Sequence, residues 1–558
     1  MNNQKNKPWL DYYPEKVSSL FELDEKSIVE QLAIVGDKQK NNIAYTYLGE
    51  DITYEYFIRR VDFLSQYLEK IGLAQGEKVF ICLPNIPACP SIIFAALQIG
   101  ATIILSNPLS SEDEHLYQVQ DCGAKMAFVV DGLQQRFEKI AQETQLEHLF
   151  FAEVEALFSE QLSNENLSSL QQPVLENKKA YSFNDLNGCC TLASGKYSGK
   201  NKLSLIRDLV ALDNIALMLY TGGTTGKPKA VQISHRNIAA NVQQALAWLP
   251  HLSEADRGLA LFPFFSGAGF TSILCMLMQL GASLVLIARP TPESIMQILQ
   301  TDKISIFPGV PTIYKAILNA NIDPPHILDN LNFCASGAAP LPAAIRDAWK
   351  AKTGQDIVEF YGMTEATAMM CGNPYTGATK DVCVGMPIPG TNCKIVAADD
   401  YQQTLAIGQI GEICIQGPQV AVGYYNRPKA TLETFIDGWL LTGDLGYMDA
   451  EGSVFIVDRK KEMIISSGFN VYPREIDEVL IAHTDVVDVA TVGFSDDYRG
   501  ESIRAYIVAK NQQLTAEILE RYCREKLAVY KVPKQFVFVD SLPKNPLGKV
   551  VKRLLPAV

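Results

Sequence analysis

The run from Thr221 to Lys229 combines residue types that suit the binding of a polyphosphate. It reads Thr-Gly-Gly-Thr-Thr-Gly-Lys-Pro-Lys and directly follows Ile215 to Tyr220, an apolar segment that predicts a strand. The glycines leave backbone N–H groups accessible, and the threonine hydroxyls add further hydrogen-bonding groups. This run therefore predicts a flexible turn that cradles phosphate oxygens.

A P-loop kinase is the competing interpretation of this run, and the spacing argues against it. A Walker A loop places four residues between its first glycine and the Gly-Lys pair. Here three residues separate Gly222 from Gly226, and Pro228 follows Lys227. A plain glycine-rich turn without function is the other alternative, and the length of the run disfavours it.

A second run, from Glu359 to Glu365, offers groups for a nucleotide and its metal ion. Tyr361 supplies an aromatic face on which adenine can stack. Thr364 supplies a hydroxyl for a phosphate, and Glu365 a hard oxygen ligand for Mg²⁺. This run therefore suits a nucleotide that binds together with a metal ion.

A third pair of polar residues, Asp444 and Arg459, lies in a predicted β-hairpin. We expect Asp444 to sit in the turn formed with Thr442 and Gly443, and Arg459 to end the strand that begins at Val454. The carboxylate could accept hydrogen bonds from a sugar diol, and the guanidinium could face a phosphate. The strand runs directly into a charged segment, which indicates a domain boundary.

The elements that position these groups alternate between strand and helix. Alternation of this kind predicts parallel βαβ units in a layered α/β domain. A β-rich segment follows around Gly385 and Gly411, and a compact unit follows Arg459. The predicted elements are strands 78–84, 102–106 and 126–130 with helices 88–98 and 111–120, then a helix from Pro473, strands 486–494 and 502–510, a helix near 515–528 and a strand 535–540.

Composition narrows the function classes. The chain has 558 residues, enough for two or more domains, and a formal net charge of -13, from 49 basic and 62 acidic residues. An acidic chain is a poor candidate for nucleic-acid binding through a broad basic surface. The apolar run 271–288 approaches the length of a membrane span, but Gln279 and Gly281 interrupt it, so a buried helix followed by a buried strand explains it better.

The ends and the cysteines indicate a cytoplasmic protein. Twelve cysteines occur without a C-x-x-C pair, which favours neutral thiols in a reducing compartment. The first residues are polar, so we expect no signal peptide. Peripheral contact with the inner membrane face stays open, as does a homodimer.

Taken together, these runs resemble the adenylate-forming acyl/aryl-CoA synthetase superfamily. The carriers are the phosphate turn, Thr442-Gly443-Asp444, Asp458-Arg459-Lys460-Lys461, and the run from Gly468 to Asp477. The opening Lys7-Pro8-Trp9-Leu10 with Tyr13-Pro14 is most similar to bacterial long-chain fatty-acid–CoA ligases. The superfamily also includes luciferases, but no residue here gives positive support for that activity.

The resemblance implies an ATP-dependent fatty-acid–CoA ligase that uses ATP, Mg²⁺ and coenzyme A. Lys549, Thr364 and Glu365 would be catalytic, and Glu365 would also bind the metal ion. The cofactor-binding residues would be Thr221, Gly222, Gly223, Thr224, Thr225, Gly226, Lys229, Ser336, Gly337, Ala338, Tyr361, Gly362, Asp444, Arg459, Lys461 and Gly468.

The resemblance also implies the domain organisation. An α/β amino-terminal domain of several subdomains, residues 1–458, would bind ATP and the acyl group. A small α+β carboxy-terminal domain, residues 459–558, would act as a mobile lid. The hinge would lie at about 459–462 with Lys461 at its centre, and Gly468 would face the pantetheine channel.

Three departures from the family pattern bear on the substrate. Ala230 replaces the usual glycine after the phosphate turn, Ser266 replaces a histidine at the acyl site, and Phe360 replaces a small residue before Tyr361. The small residues 267–269 would suit either an acyl tunnel or tight packing. A medium-chain or aryl acid–CoA ligase, an acyl-AMP ligase that loads a carrier protein, and a non-catalytic lipid-binding relative are the alternatives.

Overall fold

The structure is a computed structural model. It describes residues 7–154, 172–175, 178–182, 210–221, 227–320, 328–376, 380, 382–466, 469–496, 500–511, 513–544 and 550–556.

The strands, in chain order, are β1 (Ile43–Tyr47), β2 (Glu50–Thr53), β3 (Lys78–Cys82), β4 (Thr102–Leu105), β5 (Met126–Val130), β6 (His148–Ala152), β7 (Gln172–Leu175), β8 (Lys178–Ser182), β9 (Ile215–Thr221), β10 (Lys229–Ser234), β11 (Arg257–Ala260), β12 (Ser283–Leu286), β13 (Ile306–Gly309), β14 (Phe333–Ser336), β15 (Ile357–Gly362), β16 (Met369–Gly372), β17 (Cys383–Pro387), β18 (Asn392–Val396), β19 (Gly411–Gln416), β20 (Gly423–Tyr424), β21 (Phe435–Ile436), β22 (Trp439–Met448), β23 (Val454–Arg459), β24 (Ile464–Ser466), β25 (Phe469–Val471), β26 (Val486–Asp496), β27 (Gly500–Ala509) and β28 (Gln535–Phe538).

The α-helices are α1 (Ile28–Lys38), α2 (Tyr54–Lys70), α3 (Ala88–Ile99), α4 (Glu112–Cys122), α5 (Gln134–Gln142), α6 (His235–Trp248), α7 (Met276–Leu280), α8 (Pro292–Thr301), α9 (Pro311–Asn319), α10 (Ala343–Thr353), α11 (Pro428–Thr434), α12 (Pro473–Ile481) and α13 (Ala516–Lys526).

The predicted alternation near the amino terminus is confirmed. Strands β3, β4 and β5 pair in parallel and are separated by α3 and α4. Helix α4 begins at a capping box, in which Ser111 and Glu114 exchange side-chain to backbone hydrogen bonds. These strands belong to a nine-stranded sheet that also contains the β9–β10 hairpin, and β9 pairs in parallel with β4.

A second, 14-stranded sheet joins a parallel half to an antiparallel half. Strands β11, β13, β14 and β15 pair in parallel, so their carboxyl ends meet at one edge. The sheet continues through the antiparallel strands β16, β17, β23, β22, β19 and β18, which confirms the β-rich segment predicted around Gly385 and Gly411. Because ligands commonly bind outside the carboxyl ends of parallel strands, we expect a binding site at that edge.

The carboxy-terminal residues form a separate five-stranded sheet of β25, β24, β27, β26 and β28. Helices α12 and α13 pack on it, and the buried core there runs from Ile464 to Leu542. The three buried clusters of the preceding chain draw only on residues up to Val454. Hydrophobic burial in the described part of the chain is therefore divided on either side of residues 455–463.

The apolar run 271–288 is a π-helical turn, Ala268–Cys275, followed by α7 and β12, as the sequence predicted in outline. Within the described ranges, none of the helices combines the length and the apolar character that a bilayer crossing requires. The ten cysteines in the described ranges are all free and buried, as expected for neutral thiols.

Candidate active site

The phosphate turn connects β9 to β10. Thr221 pairs with Lys229 across the neck of this hairpin, and the Thr221 hydroxyl donates to the Lys229 carbonyl oxygen over 3.4 Å. Residues Gly222 to Gly226 lie outside the described residues. The strand predicted to deliver the turn is confirmed, and the roles of its residues stay predictions.

Lys229 and Glu365 come together on the two ends of one tyrosine. The Lys229 ammonium lies 4.8 Å from the centroid of the Tyr424 ring, a cation–π contact. The Tyr424 hydroxyl donates to Glu365 Oε1 over 2.9 Å, and Glu365 is buried. The phosphate turn and the predicted metal ligand therefore share one wall, and sequence reasoning did not find Tyr424.

Asp444 and Arg459 form an ion pair in which the carboxylate is buried and 44% of the Arg459 side chain is exposed. Antiparallel pairing of β22 with β23 sets the two residues opposite each other, and Arg459 Nε lies 2.9 Å from Asp444 Oδ1. The Tyr361 hydroxyl donates to the other carboxylate oxygen over 2.6 Å. The hydrogen bond from Tyr361 to Asp444 was not predicted from the sequence, and the stacking of adenine on Tyr361 stays a prediction.

The expectation that Asp444 sits in a turn is wrong, because β22 is continuous from Trp439 to Met448. Gly443 has a φ of +71°, so the strand is locally irregular there. The Gly443 N–H donates over 3.0 Å to the side-chain carboxylate of Glu412 on the neighbouring strand β19. A glycine in this left-handed region bends the strand without ending it.

Electrostatic interactions connect the Asp444–Arg459 ion pair with Glu365. Burial lowers the pKa of Arg459, but the Asp444 carboxylate, together with Tyr361, Glu462 and Glu365, raises it above its usual range. Burial and the adjacent Asp444 carboxylate hold the pKa of Tyr361 far above its ordinary value. Glu365 is thus close enough to act on Arg459, and the site holds one guanidinium among several acidic groups.

The turn after β14 contains an unpartnered polar atom. Ser336 is buried, and its Oγ has no hydrogen-bond partner among the described residues. Ala338 adopts a φ of +66°, and a Cβ on Gly337 would lie 3.5 Å from the Phe360 carbonyl oxygen. A buried hydroxyl without a partner is costly, so this turn fits a polar group of a bound ligand.

Glu359 is a site residue that sequence reasoning missed. It is the third residue of β15, directly after Val358, and its Oε1 accepts a hydrogen bond from the Leu341 N–H over 3.4 Å. Burial raises the pKa of this carboxyl to about 7. The sequence put Glu359 at the start of a candidate run without a role of its own, because a single glutamate has no spacing signal.

Close packing explains the small residues 267–269. A Cβ on Gly267 would lie 2.5 Å from the Thr367 carbonyl oxygen, and a Cβ on Gly269 would collide with the Pro263 carbonyl oxygen. Thr367 has a φ of +66°, uncommon for a β-branched residue, and its hydroxyl donates to the Gln419 carbonyl oxygen over 2.7 Å. Of the two interpretations left open, the structure favours packing over a tunnel at these glycines.

The remaining predicted residues divide into two groups. Thr364 begins a 3-10 turn, Thr364–Ala366, that Met363 separates from the end of β15 at Gly362, and Lys461 follows the end of β23. Gly468 and Lys549 lie outside the described residues.

The residues around Glu365 fit a Mg²⁺ ion that is held mainly by phosphate and water. Within the described ranges, no three His, Cys, Asp or Glu side chains cluster as a metal site would require. Magnesium commonly binds through one or two carboxylates plus substrate phosphates. A single carboxylate beside a phosphate turn matches that pattern.

Comparisons with known proteins agree with this geometry. The chain matches the family described as AMP-binding enzyme over residues 32–425, and the AMP-binding enzyme C-terminal domain over residues 475–549. It is 32% identical to the long-chain-fatty-acid–CoA ligase of Bacillus subtilis, covering 99% of this chain and 98% of the relative. The ligase of the same name from Salmonella typhimurium is also 32% identical, covering 98% of each.

Solved structures show the same fold. ATP-bound MatB from Rhodopseudomonas palustris superposes with a TM-score of 0.81 at 26% identity, covering 94% of this chain and 98% of that one. The anthranilate CoA ligase AuaEII with anthranoyl-AMP gives 0.78 at 26% identity, covering 94% and 96%.

These findings confirm the resemblance, the α/β fold class and the expected enzyme class. The expected use of ATP, Mg²⁺ and coenzyme A is likewise confirmed. The chain belongs to the AMP-binding enzyme family, as an AMP-forming acyl-CoA synthetase.

Proposed function

We propose that this synthetase joins a long-chain fatty acid to coenzyme A in two steps. The observation that supports the proposal is the meeting of Lys229, at the end of the predicted phosphate turn, and Glu365, the predicted metal ligand, on Tyr424. The relatives from Bacillus subtilis and Salmonella typhimurium, which are long-chain-fatty-acid–CoA ligases that match nearly the whole chain, support the choice of acid.

In the first step, a carboxylate oxygen of the acid attacks the α-phosphorus of ATP. The bond to the bridging oxygen breaks, so acyl-AMP forms and pyrophosphate leaves. In the second step, the coenzyme A thiol attacks the acyl carbonyl carbon and loses its proton, and AMP leaves with the electrons of the broken C–O bond. The acid is thus activated before the thiol enters.

Several residues have roles in this proposal that their contacts support. Asp444, held by Arg459 and Tyr361, would accept hydrogen bonds from the ribose hydroxyls of the nucleotide. The Ser336 hydroxyl would donate to a polar group of the adenylate. Bound Mg²⁺ would neutralise phosphate charge beside Glu365, while the turn from Thr221 to Lys229 orients the polyphosphate.

We also propose that the chain divides at 458/459 and pivots at Lys461. Lys460 forms an ion pair of 2.7 Å with the buried Glu412, and its N–H donates to the Gly443 carbonyl oxygen over 2.9 Å. Two positions later, Glu462 lies 2.6 Å from Lys552. Lys461 therefore sits between a residue fixed to the large sheet and one fixed to the tail, as a pivot requires.

The pivot would bring a different group to the reaction in each step. Lys549 would approach the α-phosphate during adenylation, where an ammonium stabilises developing negative charge. Rotation of the small domain would then withdraw Lys549 and direct Gly468 toward the pantetheine arm. Peripheral membrane contact and a homodimer remain expectations of the sequence.

A medium-chain or aryl acid is the second candidate substrate, and the packing of Phe360 favours it. The Phe360 ring covers Gly372, its partner on β16, so a Cβ there would lie 2.7 Å from Phe360 Cε1 and 2.7 Å from Trp248 Nε1. The ring also packs edge-on against Phe333, with centroids 6.2 Å apart. A ring that fills this space would shorten an adjoining acyl pocket.

An acid panel distinguishes these candidates. Acid-dependent pyrophosphate release is measured with straight-chain acids of increasing length and with aromatic acids, each with and without coenzyme A. We expect turnover that peaks on long chains and a thioester product only with coenzyme A. A peak on medium or aromatic acids would support the second candidate, and an acyl-AMP product that coenzyme A does not consume would indicate a carrier-protein acceptor.

Phe360→Gly tests whether the ring limits chain length. If it does, the variant shifts the optimum toward longer acids, while Phe307→Ala, a buried control in another core that packs against Trp349, leaves the optimum unchanged. An unchanged optimum in Phe360→Gly would remove the support for a shortened pocket. Both variants lose stability, so protein concentrations are normalised to folded protein.

A further inference from the structure

Helix α4 presents two polar side chains, one turn apart, to the neck of the phosphate turn. Tyr117 and Asp121 are spaced i, i+4 and therefore lie on the same face of the helix. Tyr220 precedes the turn and Pro228 follows the part of it that lies outside the described residues. The two sides of the neck thus both meet α4.

The contacts reach both sides of the neck. The Tyr220 hydroxyl donates to Asp121 Oδ2 over 2.9 Å, and the Tyr117 hydroxyl donates to the Pro228 carbonyl oxygen over 2.9 Å. Arg427 joins the two, because its Nη2 lies 2.7 Å from Asp121 Oδ1 and 3.1 Å from the Tyr117 hydroxyl oxygen. Tyr220 and Pro228 on the two sides of the neck are therefore both hydrogen-bonded to α4, and the Arg427 guanidinium links these two contacts.

Arg427 supports the neck of the turn through protein contacts, and 36% of its side chain is exposed. Its Nη1 donates to the Asn426 carbonyl oxygen over 3.0 Å, so both terminal nitrogens already have protein partners. Asp121 is largely buried, with 12% of its side chain exposed, and Arg427 gives it a charged donor. Breaking such a pair from one side leaves a buried charge without compensation, which is costly.

We propose that Tyr117, Asp121 and Arg427 form a clamp that positions the turn for the polyphosphate of ATP. The proposal rests on the proposed function, because it assigns these residues to the nucleotide half of that reaction. A turn whose backbone N–H groups are fixed in advance loses less freedom when it binds phosphate. The three are positioning residues, since their contacts are to the neck of the turn.

The clamp predicts a selective effect on ATP. In Asp121→Asn and Tyr117→Phe, the KM for ATP is expected to rise about ten-fold, from the loss of one or two hydrogen bonds, with the KM for the acid unchanged. We expect Arg427→Lys, which keeps the charge but cannot reach both partners, to fall between the wild type and Arg427→Ala. Tyr117→Phe removes a single oxygen atom, so it keeps the test valid if the charge variants fold poorly.

Asp302→Asn is the matched control. It breaks an ion pair with Arg257 of the same 2.7 Å length, with side chains 17% and 20% exposed, on the other large sheet. We expect it to lower the melting temperature without changing the KM for ATP. If Asp121→Asn and Tyr117→Phe also lower the melting temperature and leave the KM for ATP unchanged, the clamp positions nothing.

A binding measurement separates this inference from the proposed function. The rise in melting temperature with Mg²⁺-ATP alone requires no acid and no turnover. If the wild type turns over no acid but ATP still protects it better than Asp121→Asn, the clamp stands and the ligase proposal fails. If ATP protects the wild type and both clamp variants equally, the clamp is overturned, and the same holds if ATP protects none of them.

Discussion

At the scale of single residues, Glu359 makes the stability of the protein depend on pH. Burial raises its pKa to about 7, from an ordinary value of 4.5. Between these two values the folded protein holds a proton that the unfolded chain has released. Its contribution to stability is therefore present at low pH and is lost as the pH rises toward 7.

Glu359→Gln should remove that loss. We expect the difference in unfolding free energy between the variant and the wild type to shift in favour of the variant by up to about 3 kcal/mol between pH 4.5 and 8. Chemical denaturation at several pH values measures it. A difference that stays constant over this range would show that Glu359 titrates normally.

Residue chemistry was readable from the sequence, but pairing was not. Asp444, Arg459, Tyr361 and Glu365 were all predicted as site residues, and each has the polar character expected. That Asp444 binds both Arg459 and Tyr361 depends on the register of β22 against β23, which no local pattern encodes. Tyr424 and Glu359 were missed because one tyrosine or one glutamate has no spacing signal.

At the scale of elements, the short 3-10 helix Pro8–Tyr12, which we call the amino-terminal arm, packs against the turn between β22 and β23. Gly452 in that turn has a φ of +81°, and a Cβ there would lie 2.5 Å from the backbone nitrogen of Trp9. The Trp9 side chain is buried in the main core. The arm therefore helps to fix the hairpin that carries Asp444 and Arg459.

Gly452→Ala should destabilise the protein more than a matched change elsewhere. Gly408 has nearly the same φ, +82°, with nothing within 4 Å of an added Cβ. Gly408→Ala should cost about 1 kcal/mol from backbone strain alone, and we expect Gly452→Ala to cost about 1–3 kcal/mol more, because overpacking is added. Thermal unfolding of both variants measures this, and equal losses would contradict the close approach of the arm.

Element type was predictable where periodicity was strong. The alternation over β3 to β5 follows from apolar runs separated by capped helices, and the structure agrees within a few residues. The Thr442-Gly443-Asp444 segment was expected to be a turn because glycine usually marks one. The Glu412 carboxylate, on the partner strand β19, accepts from the Gly443 N–H, and that contact between strands lets β22 continue.

At the scale of the whole molecule, burial is divided between two sets of cores. Ile306 belongs to the main cluster of the chain before residue 455 and Ile476 to a cluster after residue 463, and both are fully buried. Because the described cores do not share residues, the domains should unfold in two calorimetric transitions. The pairing of Lys552 with Glu462 keeps the tail near the pivot in the folded protein.

Matched core truncations test this division. Ile306→Ala and Ile476→Ala each remove the same atoms and should cost about 2–5 kcal/mol. We expect Ile476→Ala to lower only the transition that Mg²⁺-ATP protects less, and Ile306→Ala to lower only the other. A single transition that both variants shift equally would contradict two separately stable domains.

The most direct test of the proposed two-step reaction compares Lys549→Ala with Lys544→Ala. Lys544 is the matched control, because it lies on the same tail and forms an ion pair of 2.6 Å with Asp488. Acid-dependent pyrophosphate release reports the first step, and thioester formation from supplied acyl-adenylate reports the second. We expect Lys549→Ala to slow pyrophosphate release by about 10²–10³-fold, because one donor to the transition state is lost. Thioester formation in that variant, and both steps in Lys544→Ala, should stay near the wild-type rates. Pyrophosphate release at the wild-type rate in Lys549→Ala, or none from the wild type with any acid, would contradict the account.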